Sequence, residues 1–321
     1  MKLGVFSVLL GQKPLEEVLA YFKELGVEMI EIGTGGYPGT SHADPDILLN
    51  DANKLAQFKA LIEKYGIEIS ALSCHGNGVH PNKEVAAKFH ADYEKTILLA
   101  EALGIHQINT FSGCPGDHPG AKYPNWVTCG WPEDYMKILD YQWNDVLIPY
   151  WKEAVAFAKA HGVNKIAHEM HPGFAVYNTQ SLLRLREAVG PEIGANFDPS
   201  HLFWQGIDPV ASIKALGDSI FHFHAKDTKI DPYNTAVNGV LYTSHYDRFI
   251  DRSWTFRTVG YGHDRGVWAD IMSALRMVGY DYAISIEHED GLMSIKEGLE
   301  KAITFLQDVI IEEEMTEMWW A

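Results

Sequence analysis

The amino-acid sequence predicts an α/β fold, a single (β/α)8 barrel over residues 1–321 with long loops after its fourth and seventh strands. Three observations carry that expectation. A strand-like apolar run followed by an amphipathic helical segment recurs eight times. The length suits one such barrel, and no low-complexity linker or run of like charge divides the chain. Alternating strands and helices imply a parallel sheet, which eight units can close. An open doubly wound sheet is the alternative, but no glycine-rich nucleotide fingerprint follows the first strand.

The units follow in order. KLGVFSVLL (2–10) is the first strand, and PLEEVLAYFKELG behind it has apolar residues at helical spacing and a closing glycine. VEMIEIG (27–33) precedes a helix near 51–65, and IEISALSCHG (67–76) one near 84–104. HQINTFSG (106–113) leads to a helix around 143–161, and KIAHEMHPG (165–173) to one near 179–189. IGANFD (193–198) precedes 208–216, SIFHFHAKD (219–227) precedes 267–278, and DYAISIEHED (281–290) precedes 294–313. GTGGYPGT, after the second strand, does not run straight into a helix and reads as a flexible loop. Two connections are long: 112–142, with Tyr123, Trp126 and Trp131, and 228–262, with Tyr233, Tyr242, Tyr246, Trp254 and Arg257. Both leave the C-terminal ends of strands, where barrels carry their active sites. Their aromatic residues suit the apolar face of a sugar ring or an aromatic aglycone, and their outer parts an oligomer contact.

Hydrophobic residues make up 46% of the chain and charged residues 21%, enough apolar bulk for a large core. No apolar run reaches the ~20 residues that cross a bilayer. The start, MKLGVFSVLLGQKPLEEV, passes into a charged segment without a cleavage site, so it reads as a barrel strand rather than a signal peptide. Cys74, Cys114 and Cys129 form no finger spacing and no disulfide framework, and a cytoplasmic location is the default. Twenty-six basic residues against 43 acidic ones give a net charge of −17, which argues against nucleic-acid and membrane partners. It leaves room for a local basic site that takes one phosphate.

Ionisable residues gather at strand ends. In HEMH (168–171), strand alternation puts Glu169 and His171 on one face and His168 and Met170 on the other. Asp198 ends the sixth strand, with His201 three residues on; His222, His224 and Lys226 share one parity; Glu287 closes the eighth strand, with Glu289 on its parity. A strand that ends inside a barrel on an unpaired charge is costly, and four such ends argue for a shared cation. Glu169, Asp198, His224 and Glu287 are the expected ligands of one divalent ion. Three oxygens and one nitrogen favour Mn2+, Mg2+, Co2+ or Zn2+, with Mn2+ the first choice. His75 ends the third strand and Asn109 sits in the fourth, each as a substrate contact or a barrel-mouth hydrogen bond. Lys226 either neutralises a substrate oxyanion or pairs with Asp227, and Glu31 reads as an internal hydrogen-bonding group. His245 and His263 lie in loops where solvated histidines are common, and the closing IIEEEMTEMWWA reads as a tail docked on the barrel or on a partner.

This pattern resembles the xylose isomerase-like barrel superfamily of sugar phosphate isomerases, epimerases and type IV endonucleases. In that group a fifth-strand Glu, a sixth-strand Asp with a His three residues on, a seventh-strand His and an eighth-strand Glu form the metal site. The resemblance implies that role for Glu169, Asp198, His201, His224 and Glu287. TVGYGHDRGVWADIMSALRMVGYDYAISIEHED resembles the group's Gly-x-Gly turn, seventh helix and eighth strand. More narrowly, GTGGYPGTSHADPDILL, the Glu-Met-His of the fifth strand and FRTVGYGHD are similar to the catalytic alpha subunits of bacterial C-glycoside deglycosidases and related 3-keto-glycoside lyases. There the metal binds the oxidised sugar and a histidine two residues after the first Glu takes part in proton transfer, which implies that role for His171.

The resemblance implies a cation that polarises a sugar carbonyl and stabilises the enediolate left when an α-proton departs. Glu169 or Glu287 would be the base in an epimerase, and His171 in a lyase; His75, Asn109, His201 and Lys226 would contact the substrate. The expected reaction is elimination from a 3-keto-C-glycoside or related keto-glycoside, with sugar isomerisation or epimerisation as the alternative. The expected partners are the sugar or glycoside itself and a smaller, unrelated beta subunit, or otherwise further copies of the chain. Asn109 stands where the endonucleases carry a metal-binding histidine, which disfavours the abasic-site reaction. The complete ligand set disfavours a non-catalytic sugar-binding subunit.

Overall fold

Each of the eight apolar runs forms a strand, shorter than the run because its last residues leave the sheet to build the barrel mouth. The computed structural model describes residues 1–320. The strands are β1 (Lys2–Phe6), β2 (Met29–Gly33), β3 (Glu68–Ser73), β4 (Gln107–Thr110), β5 (Lys165–Glu169), β6 (Ile193–Phe197), β7 (Ile220–Ala225), β8 (Asp227–Ile230), β9 (Trp254–Arg257) and β10 (Ala283–Ile286). Eight are parallel and close into a barrel in the order β1-β10-β7-β6-β5-β4-β3-β2, while β8 and β9 form a separate antiparallel ribbon. The fold is the expected (β/α)8 barrel.

The barrel helices include Leu15–Glu24, Ala52–Tyr65, Lys83–Leu103, Ile148–Ala160, Thr179–Val189, Pro209–Leu216, Arg265–Met277 and Ile295–Val309. Their starts have local causes. The side chains of Asp51, Asn82, Asn178, Asp208, Asp264 and Ser294 accept first-turn N–H groups. One apolar face of each helix packs on the barrel, as Trp268, Ile271, Met272 and Leu275 do from the helix that precedes β10.

Two connections differ from the sequence reading. Helix begins at Glu133 rather than near 143, then passes through a π-helical stretch, Tyr141–Leu147, into Ile148–Ala160. That wider turn buries Gln142 and Trp143, and the Gln142 amide donates to the carbonyls of Pro115, Gly116 and Asn125, tying the preceding loop down. Residues 228–262 hold most of the β8–β9 ribbon and the helix Pro232–Asn238, so this connection is partly regular structure.

The turn after β2 is also ordered, contrary to the flexible loop expected there. Tyr37 N–H donates to the His75 carbonyl at 2.7 Å, and Gly36 takes a φ of 64° against that same carbonyl. A Cβ at Gly36 would stand 2.0 Å from it. At the C-terminus the Ile311 carbonyl accepts from the N-terminal amine and from Arg276. Ile310 and Ile311 pack on the core, whereas Met315, Met318, Trp319 and Trp320 are exposed, so of the two expected placements, on the barrel or on a partner, only the start of the tail takes the first. The three cysteines are free, and among the described residues no helix is long and apolar enough to cross a membrane.

Candidate active site

Four barrel strands deliver ionisable side chains to one point at the C-terminal mouth. Glu169 is the last residue of β5, Asp198 follows β6, His224 lies near the end of β7 and Glu287 follows β10. One ligand-competent atom from each lies within 4.8 Å of the others. Asp198 is held by its own chain: Oδ1 accepts from Ser200 N–H at 2.8 Å, capping the short helix Pro199–Phe203 and leaving Oδ2 for the mouth. His224 is held from below, where Nε2 stands 2.9 Å from Glu31 Oε2. A ring that donates Nε2–H to a carboxylate presents the Nδ1 lone pair on its other side.

Nδ1 lies 3.2 Å from Glu287 Oε2 and 3.5 Å from Glu169 Oε2, yet neither it nor Asp198 Oδ2 makes a hydrogen bond. His224 Nδ1 therefore faces a point that no protein group satisfies, and Asp198 Oδ2 faces the same point with the Lys226 ammonium 3.1 Å away as its ion-pair partner. Charge shows the same imbalance. Five carboxylates (Glu31, Glu169, Asp198, Glu287 and Glu289) meet one ammonium, Lys226, and the imidazoles of His75, His201, His222 and His224. Burial, with Glu169 and Glu287 beside it, pushes the Asp198 carboxyl up to about 7 against the pull of Lys226. Glu287 is driven the other way, to about 2, because Lys226 and His224 outweigh its burial. Burial alone would lower His224, but Glu31 and Glu287 hold it well above the usual histidine range. An additional cation relieves all of these tensions, and the set of three carboxylates and one imidazole fits a divalent ion.

The other expected residues divide into those the structure brings to this point and those it does not. His201 Nε2 stands 3.0 Å from Glu169 Oε1, and burial lowers its pKa to about 3, so the ring is neutral and donates. His75 Nε2 stands 3.1 Å from Glu169 Oε2. The His171 ring centre is 4.0 Å from that of His201, and its Nδ1 is 2.6 Å from the Pro172 carbonyl. Nδ1–H is thereby engaged and Nε2 remains a proton acceptor; burial lowers the pKa and keeps the ring neutral.

Asn109 is not brought to the mouth. It is fully buried, level with Ala167 in the β4–β5 register and so two residues below Glu169, and its amide donates to Glu31 at 2.9 Å. Lys226 does not pair with Asp227; its ammonium lies 2.6 Å from Glu287, 3.1 Å from Glu289 and 3.1 Å from Asp198. Asp227 instead accepts from the backbone of Gly260, Gly262 and His263, and so holds the Gly-x-Gly turn. A Cβ on Gly262 would stand 2.3 Å from the Thr228 carbonyl. His263 is only partly exposed, pairing with Asp227 at 2.7 Å and stacking on Phe203.

Above the cluster, His171 and His201 open into a cavity of about 510 Å³ walled by Trp126, Trp204, Tyr242, Tyr246 and Trp254. Both aromatic connections contribute, whereas their Tyr123, Trp131 and Tyr233 face outward. Arg257 is neutralised by Asp290 at 3.0 Å. Arg252, which the sequence reading did not single out, lies in the cavity wall.

The fold and mouth define a (β/α)8 barrel with a carboxylate–imidazole site at the C-terminal ends of its strands. Residues 19–309 match the family described as xylose isomerase-like TIM barrel, and the chain belongs to that family. It is 40% identical over 313 residues to the uncharacterized protein YfiH of Bacillus subtilis (strain 168), covering 97% of this chain and 99% of that one. Among solved structures, the probable 3-DHS dehydratase AsbF from Bacillus anthracis superposes with a TM-score of 0.68 at 18% identity, over 96% of this chain and 99% of that chain. The IOLI protein with a binding zinc atom gives 0.66 at 19% identity, over 97% and 98%. D-psicose 3-epimerase in the presence of D-fructose gives 0.63 at 15%, over 97% and 99%. At these identities the three structures establish a shared fold.

Proposed function

We propose that the protein is a divalent-metal-dependent enzyme that removes a proton beside the carbonyl of a sugar or sugar-like substrate, and that it completes the reaction by elimination from a keto-glycoside. The observation that carries this reading is the convergence of Glu169, Asp198, His224 and Glu287 around an unbonded His224 Nδ1, with His201, in contact with Glu169, lining the aromatic cavity beside His171. Those four residues would hold the ion, which supplies Lewis acidity toward a carbonyl oxygen and its neighbouring hydroxyl. A structural neighbour with a zinc atom supports a divalent ion.

The chain's own residues do the rest. His171, neutral and with Nε2 unengaged, accepts the α-proton. His201 donates Nε2–H to Glu169 Oε1 and keeps that carboxylate from rotating toward the cavity. The indole and phenol walls pack on a ring face and displace water from it. The electron pair left on the α-carbon then forms the new double bond to the β-carbon as the bond to the β-substituent breaks. The substituent leaves with the electrons of that broken bond and takes up a proton from His171 or solvent. A cavity of about 510 Å³ falls in the range that encloses a drug-sized ligand, so it has space for a sugar ring and its leaving group.

Epimerisation or isomerisation is the second reading, favoured by one observation. Glu169 and Glu287 approach His224 Nδ1 together, at 3.5 and 3.2 Å, a carboxylate pair able to take a proton from one face and return one to the other. The epimerase among the structural neighbours supports it. Mn2+-reconstituted protein, incubated separately with 3-keto-C-glycosides, 3-keto-O-glycosides and free ketoses, separates the two. Aglycone release is expected. Interconversion of free sugars without release would replace elimination by epimerisation, and inertness toward all three would remove both.

A further inference from the structure

We propose that Arg252 is a specificity-determining residue, and that the cavity takes a substrate carrying an oxyanion, a carboxylate or a phosphate, at the end away from the carbonyl. The proposal rests on reading this cavity as the substrate chamber. Arg252 is only 6% exposed and forms part of the cavity wall. Its Nε–H donates to the Trp254 carbonyl at 3.0 Å and Nη1 to the Ser244 carbonyl. The guanidinium is stacked 4.1 Å from the centre of the Tyr246 ring and 4.6 Å from that of Trp254. Backbone and aromatic contacts thus fix its plane without neutralising its charge.

Its neighbours in sequence make the contrast. Arg248, Arg257 and Arg265 pair with Asp251, Asp290 and Asp308. Among the described residues, no carboxylate comes within the 4.0 Å of an ion pair with Arg252. The cavity it faces is lined by no aspartate or glutamate, in a chain that has 43 of them. The other titratable side chains lining it are His171, His201, His245, Tyr242 and Tyr246, none of them a carboxylate. An enclosed guanidinium without a counterion is costly, and it is tolerated where a ligand supplies the missing charge. A guanidinium has five N–H donors in a rigid fork, and the two engaged here leave others for a carboxylate or phosphate. The net charge of −17 repels anions at long range, so discrimination in favour of one must come from a buried contact of this kind.

Trp126, Trp204 and Trp254 line the cavity and give a direct binding signal. Tryptophan fluorescence is titrated, in EDTA, with D-glucose, D-glucuronate and D-glucose 6-phosphate on the wild type, R252Q and R252K. The wild type is expected to bind at least one acidic sugar about tenfold more tightly than glucose; which one identifies the group as carboxylate or phosphate. R252Q brings that sugar to within about twofold of glucose. R252K, which keeps the charge but not the planar fork, retains part of the preference. Thermal melts report whether each variant is folded. Equal affinity for all three sugars in the wild type overturns the proposal whatever the variants do, as does a preference undiminished in R252Q or R252K. Because no metal is present, loss of the metal-dependent reading would leave these affinities as they are.

Discussion

The floor and the mouth of the barrel are built from the same residue types and end in opposite states. On the floor, Glu31 accepts from Ser73, Asn109, Ser285 and His224, and both ring nitrogens of His222 find partners, in Asn196 and Ser70. One layer up, His224 Nδ1 makes no hydrogen bond, and Asp198 Oδ2 has only ion-pair contact with Lys226, at 3.1 Å. His224 belongs to both layers, with one nitrogen fastened below and the other presented above. A carboxylate surrounded by protein donors is a structural group; a cluster of carboxylates around an unbonded nitrogen is a site that something else completes.

The largest effect should come from removing a ligand at the mouth. D198N keeps an oxygen to cap Ser200, so the short helix survives, but it loses the anionic Oδ2. Bound metal falls to background by elemental analysis, and turnover drops by roughly 10²–10³ or more. E169Q and E287Q are expected to do the same. H171Q comes next, lowering kcat by roughly 10²–10⁴ as a lost general base does, while metal content stays at the wild-type level. A loss of metal in H171Q would make it a supporting residue rather than the base.

E31Q tests the link between the layers. It removes the charge that orients His224 without touching the mouth, and metal affinity should weaken by about 10–100-fold, read by calorimetric titration. Unchanged affinity would separate floor from mouth entirely.

The smallest effect is on stability. Burial holds the pKa of His168 at about 3 and that of His222 at about 4, against 6.5 for a free imidazole. Between those values the unfolded chain binds protons that the folded one does not. Stability from these groups is therefore full above about pH 6.5 and declines as the pH falls toward 3. Melting temperatures in EDTA should drop steadily from pH 7 to pH 5. His168 packs on Trp151 with both ring nitrogens unbonded, so H168L should flatten that slope and raise the melting point by a few degrees.

Much of the mouth was legible in the sequence because parity and chain order suffice for it. A strand that ends on an ionisable residue puts that residue at the C-terminal rim, and four such ends, three acids and His224, name their shared point. Depth along the barrel axis is another matter. Asn109 has the right parity but lies level with Ala167, below Glu169, because β4 and β5 are staggered in register. Lys226 and Asp227 are neighbours in sequence that separate at the start of the β8–β9 ribbon, one toward the mouth and one toward the Gly-x-Gly turn. DTKI and WTFR are too short to announce that ribbon by alternation alone. Arg252 and Arg257 look alike in sequence, and only the folded position of Asp290 gives Arg257 a counterion that Arg252 lacks.

Calorimetric titration of chelator-stripped protein with Mn2+ tests the central claim most directly, with wild type and D198N measured side by side. The site at the mouth requires one ion per wild-type chain and no saturable binding to a folded D198N. Absence of binding to the wild type, or the same stoichiometry and affinity in D198N, would contradict it.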